Sequence, residues 1–249
     1  MLALLLKAIW LAWNWLELFV VTLILYIWAW LPAPFTRLYY HTLFRIWCSM
    51  FVRALSVDLR LHQKNREPLP KQFILIANHP SALEDVGIPS LFDVYPLAKE
   101  GVRTWWLAGR INVAAGTVFV KRNDPDSRRD AVDTLVEKLN NGQNIALFPE
   151  GGCFGRRINK TFQAGAFDIS MRTGIPIVPV FIHYEAQEVF EWADPATLIH
   201  KMWHFINSPN DHANFYVYDA ISPVGQKDKS AFAESVRQQY LQWQKQYLE

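Results

Sequence analysis

The apolar run Phe73–Ala77 stops at Asn78-His79-Pro80, and two adjacent carboxylates, Glu84 and Asp85, follow within six residues. An imidazole at the end of a buried strand, with a carboxylate five or six residues on, has the parts of a general-base pair. The carboxylate would hold one ring tautomer and raise the ring's basicity. Pro80 suits the first position of a helix. The pattern therefore predicts a helix beginning there and returning a carboxylate about one and a half turns later. Residue types alone leave open which of the two carboxylates it is. Three further stretches carry chemistry of the same kind. "GTVFVKR" ends a strand-like run on Lys121-Arg122, "IALFPEGG" ends another on Glu150 and a glycine pair, and "GIPIVPV" sets Pro176 and Pro179 inside a third. Ligands of open α/β sheets collect at the carboxyl ends of strands. His79, Arg122 and Glu150 would converge there.

The elements that must position these residues alternate between strand-like and helix-like. Val57–Leu61 alternates with period two, Phe73–Ala77 and Ile145–Phe148 read as strands covered on both faces, and Val118–Val120 is a short strand. Ile175–Ile182 and Phe215–Ile221 are further strands. Ser127–Asn141 has helical spacing and is closed by Gly142, Phe162–Arg172 is a helix stopped by Gly174, and Ala231–Leu248 is amphipathic. This order predicts an α/β domain over residues 57–249, a mixed central sheet flanked by helices.

Residues 1–56 differ in character. Leu2–Leu31 is interrupted only by Lys7, Asn14, Glu17 and Thr22, and six of the 11 tryptophans fall in the first fifty residues. At ~1.5 Å per residue, a helix of that length exceeds the ~30 Å of bilayer hydrocarbon. Trp10, Trp13 and Trp15 at one end and Trp28 and Trp30 at the other suit the two interfaces. Glu17 is costly at mid-bilayer, which places it near an interface or the segment at a tilt. Pro32 and Pro34 end the run. A second helix, from Phe35 to about Leu55, carries Arg37, His41, Arg45 and Arg53 and suits anionic headgroups. Together they form an N-terminal membrane-associated two-helix element. The basic residues that follow place the rest on the cytoplasmic face of the inner (cell) membrane. A formal net charge of +2 over 249 residues gives no case for nucleic-acid binding. Cys48 and Cys153 are too far apart in sequence for a metal-ligand spacing or a disulfide framework.

In this context the chain resembles the glycerolipid acyltransferase family that includes bacterial 1-acylglycerol-3-phosphate (lysophosphatidate) acyltransferases. Four blocks occur in the family's order: "NHPSALE" at 78–84, "GTVFVKR" at 116–122, "FPEG" at 148–151 and "IVPV" at 177–180. The resemblance implies that His79 is the general base toward an acceptor hydroxyl, with Glu84, at the position of the family's Asp, orienting it. It implies that Arg122 holds an acceptor phosphate, that Glu150 and Gly151 shape the acceptor site, and that Pro179 sets strand geometry. Asn78 and Gly116 join the substrate-binding set. The co-substrate would be an acyl-CoA or acyl carrier protein thioester, with no cofactor and no metal. The partners would be the membrane bilayer and a lysolipid acceptor, and the setting phospholipid biosynthesis. Two departures stand out. The dyad carboxylate is Glu instead of Asp. The third block continues "GCFGRR" instead of Thr-Arg-Ser, leaving Arg156 or Arg157 to replace a phosphate-contacting arginine. The acceptor is therefore open among 1-acylglycerol-3-phosphate, another lysophospholipid and a lyso-amino-acid lipid.

Other classes compete. Cys153 in its glycine turn, paired with His79, would make a thioesterase or lipid hydrolase. The fold could serve as a non-catalytic membrane-binding module. His200 and His204 lack the intervening Glu of a zinc hydrolase motif. Ser81 is expected to bond backbone at a helix start rather than act as a nucleophile.

Overall fold

A computed structural model describes residues 2–31, 39–192 and 197–249. Pro32, Pro34 and the expected start of the second helix, Phe35 with Arg37, lie outside the described residues. The remainder follows the predicted class. Among the described residues seven strands form one mixed sheet: β1 (Asp58–Gln63), β2 (Ile74–Ala77), β3 (Tyr95–Lys99), β4 (Val118–Val120), β5 (Ile145–Leu147), β6 (Ile177–Tyr184) and β7 (His212–Val217). Their order across the sheet is β1-β7-β6-β2-β5-β3-β4. Neighbours run parallel except β6 and β7. At the outer edge, β1 pairs with β7 from Asp58↔His212 to Gln63↔Val217.

β2 shows why its sequence is a continuous apolar run. Ile74 and Ile76 enter one core with Ile145, Leu147, Phe181 and Tyr240, while Leu75 and Ala77 enter the other with Val178, Val180 and Phe215. All four β2 residues are fully buried. A strand covered on both faces has no polar side to show. The helices that cover it are α3 (Glu84–Leu91), α4 (Ala108–Ala114), α5 (Pro125–Asn140), α6 (Gly165–Thr173), α7 (Gln187–Phe190), α8 (Leu198–Ile206) and α9 (Lys229–Leu248). α5 starts as its sequence dictates: the Asp124 side chain accepts from the backbone N–H of Asp126 and Ser127, with Pro125 in the first turn.

Two expectations are corrected. No helix begins at Pro80: residues 78–83 form an irregular turn and α3 starts only at Glu84. Distant backbone holds the turn open, with the Trp192 N–H donating to Pro80 O and the Ser81 hydroxyl donating to Phe190 O. Nor does the last strand reach Ile221. β7 ends at Val217, and Ile221 makes only an isolated antiparallel bridge to Ile177. β3, α4, α7 and α8 are elements the sequence pattern did not resolve.

The N-terminal element is an antiparallel pair, α1 (Leu2–Trp28) and α2 (Tyr40–Ala54). Their contact face is Leu18, Leu25, Phe44, Trp47 and Cys48. Polar ties cross it: Trp47 Nε1 donates to Thr22 Oγ1 at 2.8 Å and Tyr40 OH to Leu25 O at 2.8 Å. Arg53 Nη2 donates to Glu17, so the awkward carboxylate of α1 has a cation beside it. α1 meets the rest of the chain at both ends. Lys7 and Trp10 line a cavity of about 460 Å³ with Arg53 and Asp58, and Arg110 Nη2 of α4 donates to Ala29 O. The opposite face of α1 is open. Of the window that could cross a membrane, within Leu5–Trp28 and with mean hydropathy 1.8, only 17% is buried.

Candidate active site

β2 and β5 lie side by side and in parallel, so the residues that follow them meet. Asn78 comes first. Its Nδ2 donates to Ile182 O at 2.9 Å and its Oδ1 accepts from Ile182 N at 2.7 Å, which continues the pairing of β2 with β6 through a side chain. Both ends of the amide are thus on backbone. Asn78 fixes the end of the strand.

His79 is the next residue and is only 5% exposed. Its backbone N–H donates to Glu150 Oε1 at 2.8 Å, and its ring stacks on Phe148 with centroids 4.1 Å apart. Its Nδ1 lies 3.2 Å from Glu84 Oε2. Glu84, not Asp85, is the carboxylate on the ring. The pair meets across the turn, since Glu84 is the first residue of α3. Glu84 is fully buried and has no shortage of donors: Ser81 N reaches it at 3.1 Å and Tyr184 OH at 2.5 Å. A buried carboxylate is tolerable only when hydrogen-bonded in this way. With Nδ1–H directed at Glu84, Nε2 is left as the ring's basic nitrogen.

The electrostatics follow from that packing. Burial alone would push the His79 imidazole down. Hydrogen bonds with the Cys153 thiol and with Glu84, and the charge of Asp85, outweigh it and raise the ring well above the usual histidine value. Burial, and then the Glu84 charge, keep Tyr184 a neutral phenol. Asp85 is reached by solvent yet crowded by protein, which raises its carboxyl; His79, Arg122 and Lys99 act in the opposite sense.

The other expected residues divide. Glu150 is buried, and its two carboxylate oxygens accept from the backbone N–H of His79 and of Asn159, each at 2.8 Å. It clamps the His79 turn to the 159 loop. Gly151, at φ +76°, allows the turn after it. Arg122 is exposed, and its Nη1 lies 3.6 Å from where a Cβ on Gly152 would stand. It forms no ion pair among the described residues. Arg156 and Arg157 are both engaged: Arg156 is gripped by Glu191 through two bonds of 2.8 and 2.6 Å, and Arg157 Nη1 donates to Glu249 at 2.7 Å. Both expected substitutes for the missing arginine thus stand in ion pairs at the surface. Gly116 lies at the amino end of β4, the edge opposite Arg122, against the Tyr95 ring and Lys138. Pro179 is buried mid-sheet opposite Ile76, whose carbonyl accepts from the Tyr240 hydroxyl at 2.9 Å. Cys153 donates its thiol to Ser81 O at 3.0 Å beside His79, and burial pushes the thiol up, away from thiolate. Ser81 bonds backbone as expected, though its acceptor is the distant Phe190 O.

Sequence reasoning missed Tyr184 and Asn159. Tyr184 had a signal, an aromatic residue with a polar tip closing an apolar strand. Asn159 had none.

Comparison with known proteins decides the family. The acyltransferase family profile matches residues 59–183, half of the chain. The chain belongs to the acyltransferase family. Within it, the chain is 31% identical over 146 residues to a lyso-ornithine lipid O-acyltransferase of Pseudomonas aeruginosa, covering 58% of this chain and 55% of that protein. It is 30% identical to the 1-acyl-sn-glycerol-3-phosphate acyltransferase of Neisseria gonorrhoeae over 53% of this chain and 51% of that one. It is also 37% identical to human lysophosphatidylcholine acyltransferase 2, over 49% and 22%. The chain spans about half the length of the first of these curated relatives. The crystal structure of the 1-acyl-sn-glycerophosphate acyltransferase of Thermotoga maritima shares the fold, with a TM-score of 0.54 and 18% identity over 93% of this acyltransferase chain and 98% of that one.

Proposed function

We propose that the protein transfers a fatty acyl group from an acyl thioester, carried by coenzyme A or acyl carrier protein, to the hydroxyl of a membrane lysolipid. The observation that carries this reading is the His79–Glu84 pair, buried and hydrogen-bonded at the carboxyl end of β2. The acceptor O–H gives its proton to His79 Nε2 as its oxygen attacks the thioester carbonyl. Glu84 stabilises the imidazolium formed. The tetrahedral adduct collapses by breaking the C–S bond, and the ring returns its proton to the departing sulfur, leaving an ester and a free thiol. Positioned general-base transfer of this kind contributes ~10²–10⁴-fold to a rate.

Arg122, the rim cation without an ion pair among the described residues, is the partner for an acidic headgroup, which makes 1-acylglycerol-3-phosphate the first acceptor to test. A second reading has its own support. Asp85 is an accessible carboxylate in the field of Arg122, and Arg156 is held by Glu191. One cation beside one anion suits a zwitterionic headgroup such as a lyso-amino-acid lipid, the acceptor class named for the Pseudomonas relative. A panel of lysolipids offered with a labelled acyl thioester, scored by product mass, separates the two. Acylation of none of them would overturn the function itself. Retained turnover in Cys153→Ala would remove the cysteine hydrolase.

A further inference from the structure

The loop between β3 and α4 presents Trp105 and Trp106 to solvent, 42% and 85% exposed. It is not a slack loop. Residues Glu100–Thr104 form a 3₁₀ turn, and Trp105 N–H donates back to Val102 O at 3.1 Å. Leu107 sits at φ +57°, ψ −60°, with the Ala108 N–H donating to Trp106 O at 2.6 Å. That is a γ-turn of the rare, strained kind, on a residue with a branched side chain. Gly109 closes the loop: a Cβ there would stand 2.2 Å from Arg103 O. Strained backbone that persists is held by its surroundings and gathers at working surfaces. Here it holds two indoles outward.

The neighbours say what those indoles meet. Arg110, one turn into α4, lays its guanidinium 4.4 Å over the ring of Trp30 and donates to Ala29 O. The tryptophan loop is thereby continuous with the carboxyl end of α1, where Trp30 and Leu31 are 62% and 49% exposed. Arg110 adds a cation to the same edge, where Arg103 is paired with Glu100 at 2.9 Å. Indoles interleaved with arginines suit the headgroup layer of an anionic bilayer. The loop also leaves β3 at the sheet edge where β2 and β5 deliver His79 and Glu150.

We propose that Trp105 and Trp106 are a second bilayer contact, entering the headgroup layer of the leaflet that receives the open face of α1 and seating the His79 edge of the sheet against the lipid surface. The proposal rests on the lysolipid reading for its purpose but is measured independently of it. The test uses the full chain and its Trp105→Ser/Trp106→Ser variant, with vesicles of phosphatidylglycerol and phosphatidylethanolamine. Removing two aromatic side chains from a lipid contact should weaken vesicle partitioning ~10-fold. The thermal midpoint in detergent should not move. Acylation of a vesicle-embedded lysolipid should fall by a similar factor, while a monodisperse short-chain acceptor is used at the wild-type rate. Unchanged partitioning, or equal loss on both acceptors, overturns the proposal, as does partitioning restored only by adding a protein partner. If wild-type acylates nothing, the functional reading fails while the partitioning result still decides this one.

Discussion

The His79 end of the sheet and the α1–α2 pair are built by opposite rules. Around His79, polar side chains are buried and bonded: Asn78, Ser81, Glu84 and Glu150 are each at most 2% exposed, and each has a partner on a different segment. On α1, large apolar side chains stand in the open, Trp13 at 64% and Ile27 at 66%. A closed polar network in low dielectric fixes geometry to fractions of an ångström. An open apolar face fixes nothing by itself and is completed by something other than this chain. Chemistry is held by the first rule and location by the second.

Substitutions can break or sharpen that contrast. The largest effect belongs to His79→Ala, expected to lower acyl transfer ~10³-fold or more, measured with a labelled thioester. Cys153→Ala, on the neighbouring thiol, should stay within about threefold; a collapse there would reassign the chemistry. Glu84→Gln comes next, with kcat down ~10²-fold and a shifted pH profile. The sign is set by the ring. Only neutral His79 accepts a proton, so the rate rises with pH through its raised value. Removing the Glu84 charge lowers that value and moves the acid limb to lower pH. Asp85→Asn should move the limb the same way but less. An equal or larger shift there would mean the wrong carboxylate has been paired with the ring.

Smaller effects test the frame. Tyr240→Phe removes the hydroxyl that bonds Ile76 O and Val180 O and should cost about 1–2 kcal/mol. For a chain of this size that is a drop of about 2–8 °C in Tm, with activity kept. An unchanged Tm would mean the hydroxyl is dispensable. Arg53→Met is the mildest. Its pair with Glu17 is half exposed, and such pairs contribute under ~1 kcal/mol. A large loss of Tm in detergent would show the helix pair to be as tightly determined as the site.

How far the sequence could be read follows from where each residue's partners lie. β2, β5 and α5 were legible because strand and helix periodicity are local. The meeting of His79 with Glu84 was legible because the two are five residues apart. The turn between them was not, since Pro80 and Ser81 are held by Trp192 and Phe190, far along the chain. Asn78 and Glu150 stand out in the sequence by type, but their side-chain bonds run to backbone at Ile182, His79 and Asn159, which no local pattern marks. One motif contains both Gly116 and Arg122. The strand inside that motif, β4, carries the two to opposite edges of the sheet.

The pairing of β1 with β7 has a consequence in time. Residues 58–63 leave the ribosome about 150 residues before their partners 212–217. At ~5–20 residues per second, β1 waits on the order of ten seconds for its neighbour. Meanwhile α1 and α2 are already free to reach lipid. Lipid on the open face of α1 would moor the nascent protein before its sheet could shut, and β1 must stay unpaired without recruiting another chain. Its sequence, DLRLHQ, interleaves Asp58, Arg60 and His62 with its two leucines, and charge on an edge strand discourages foreign pairing.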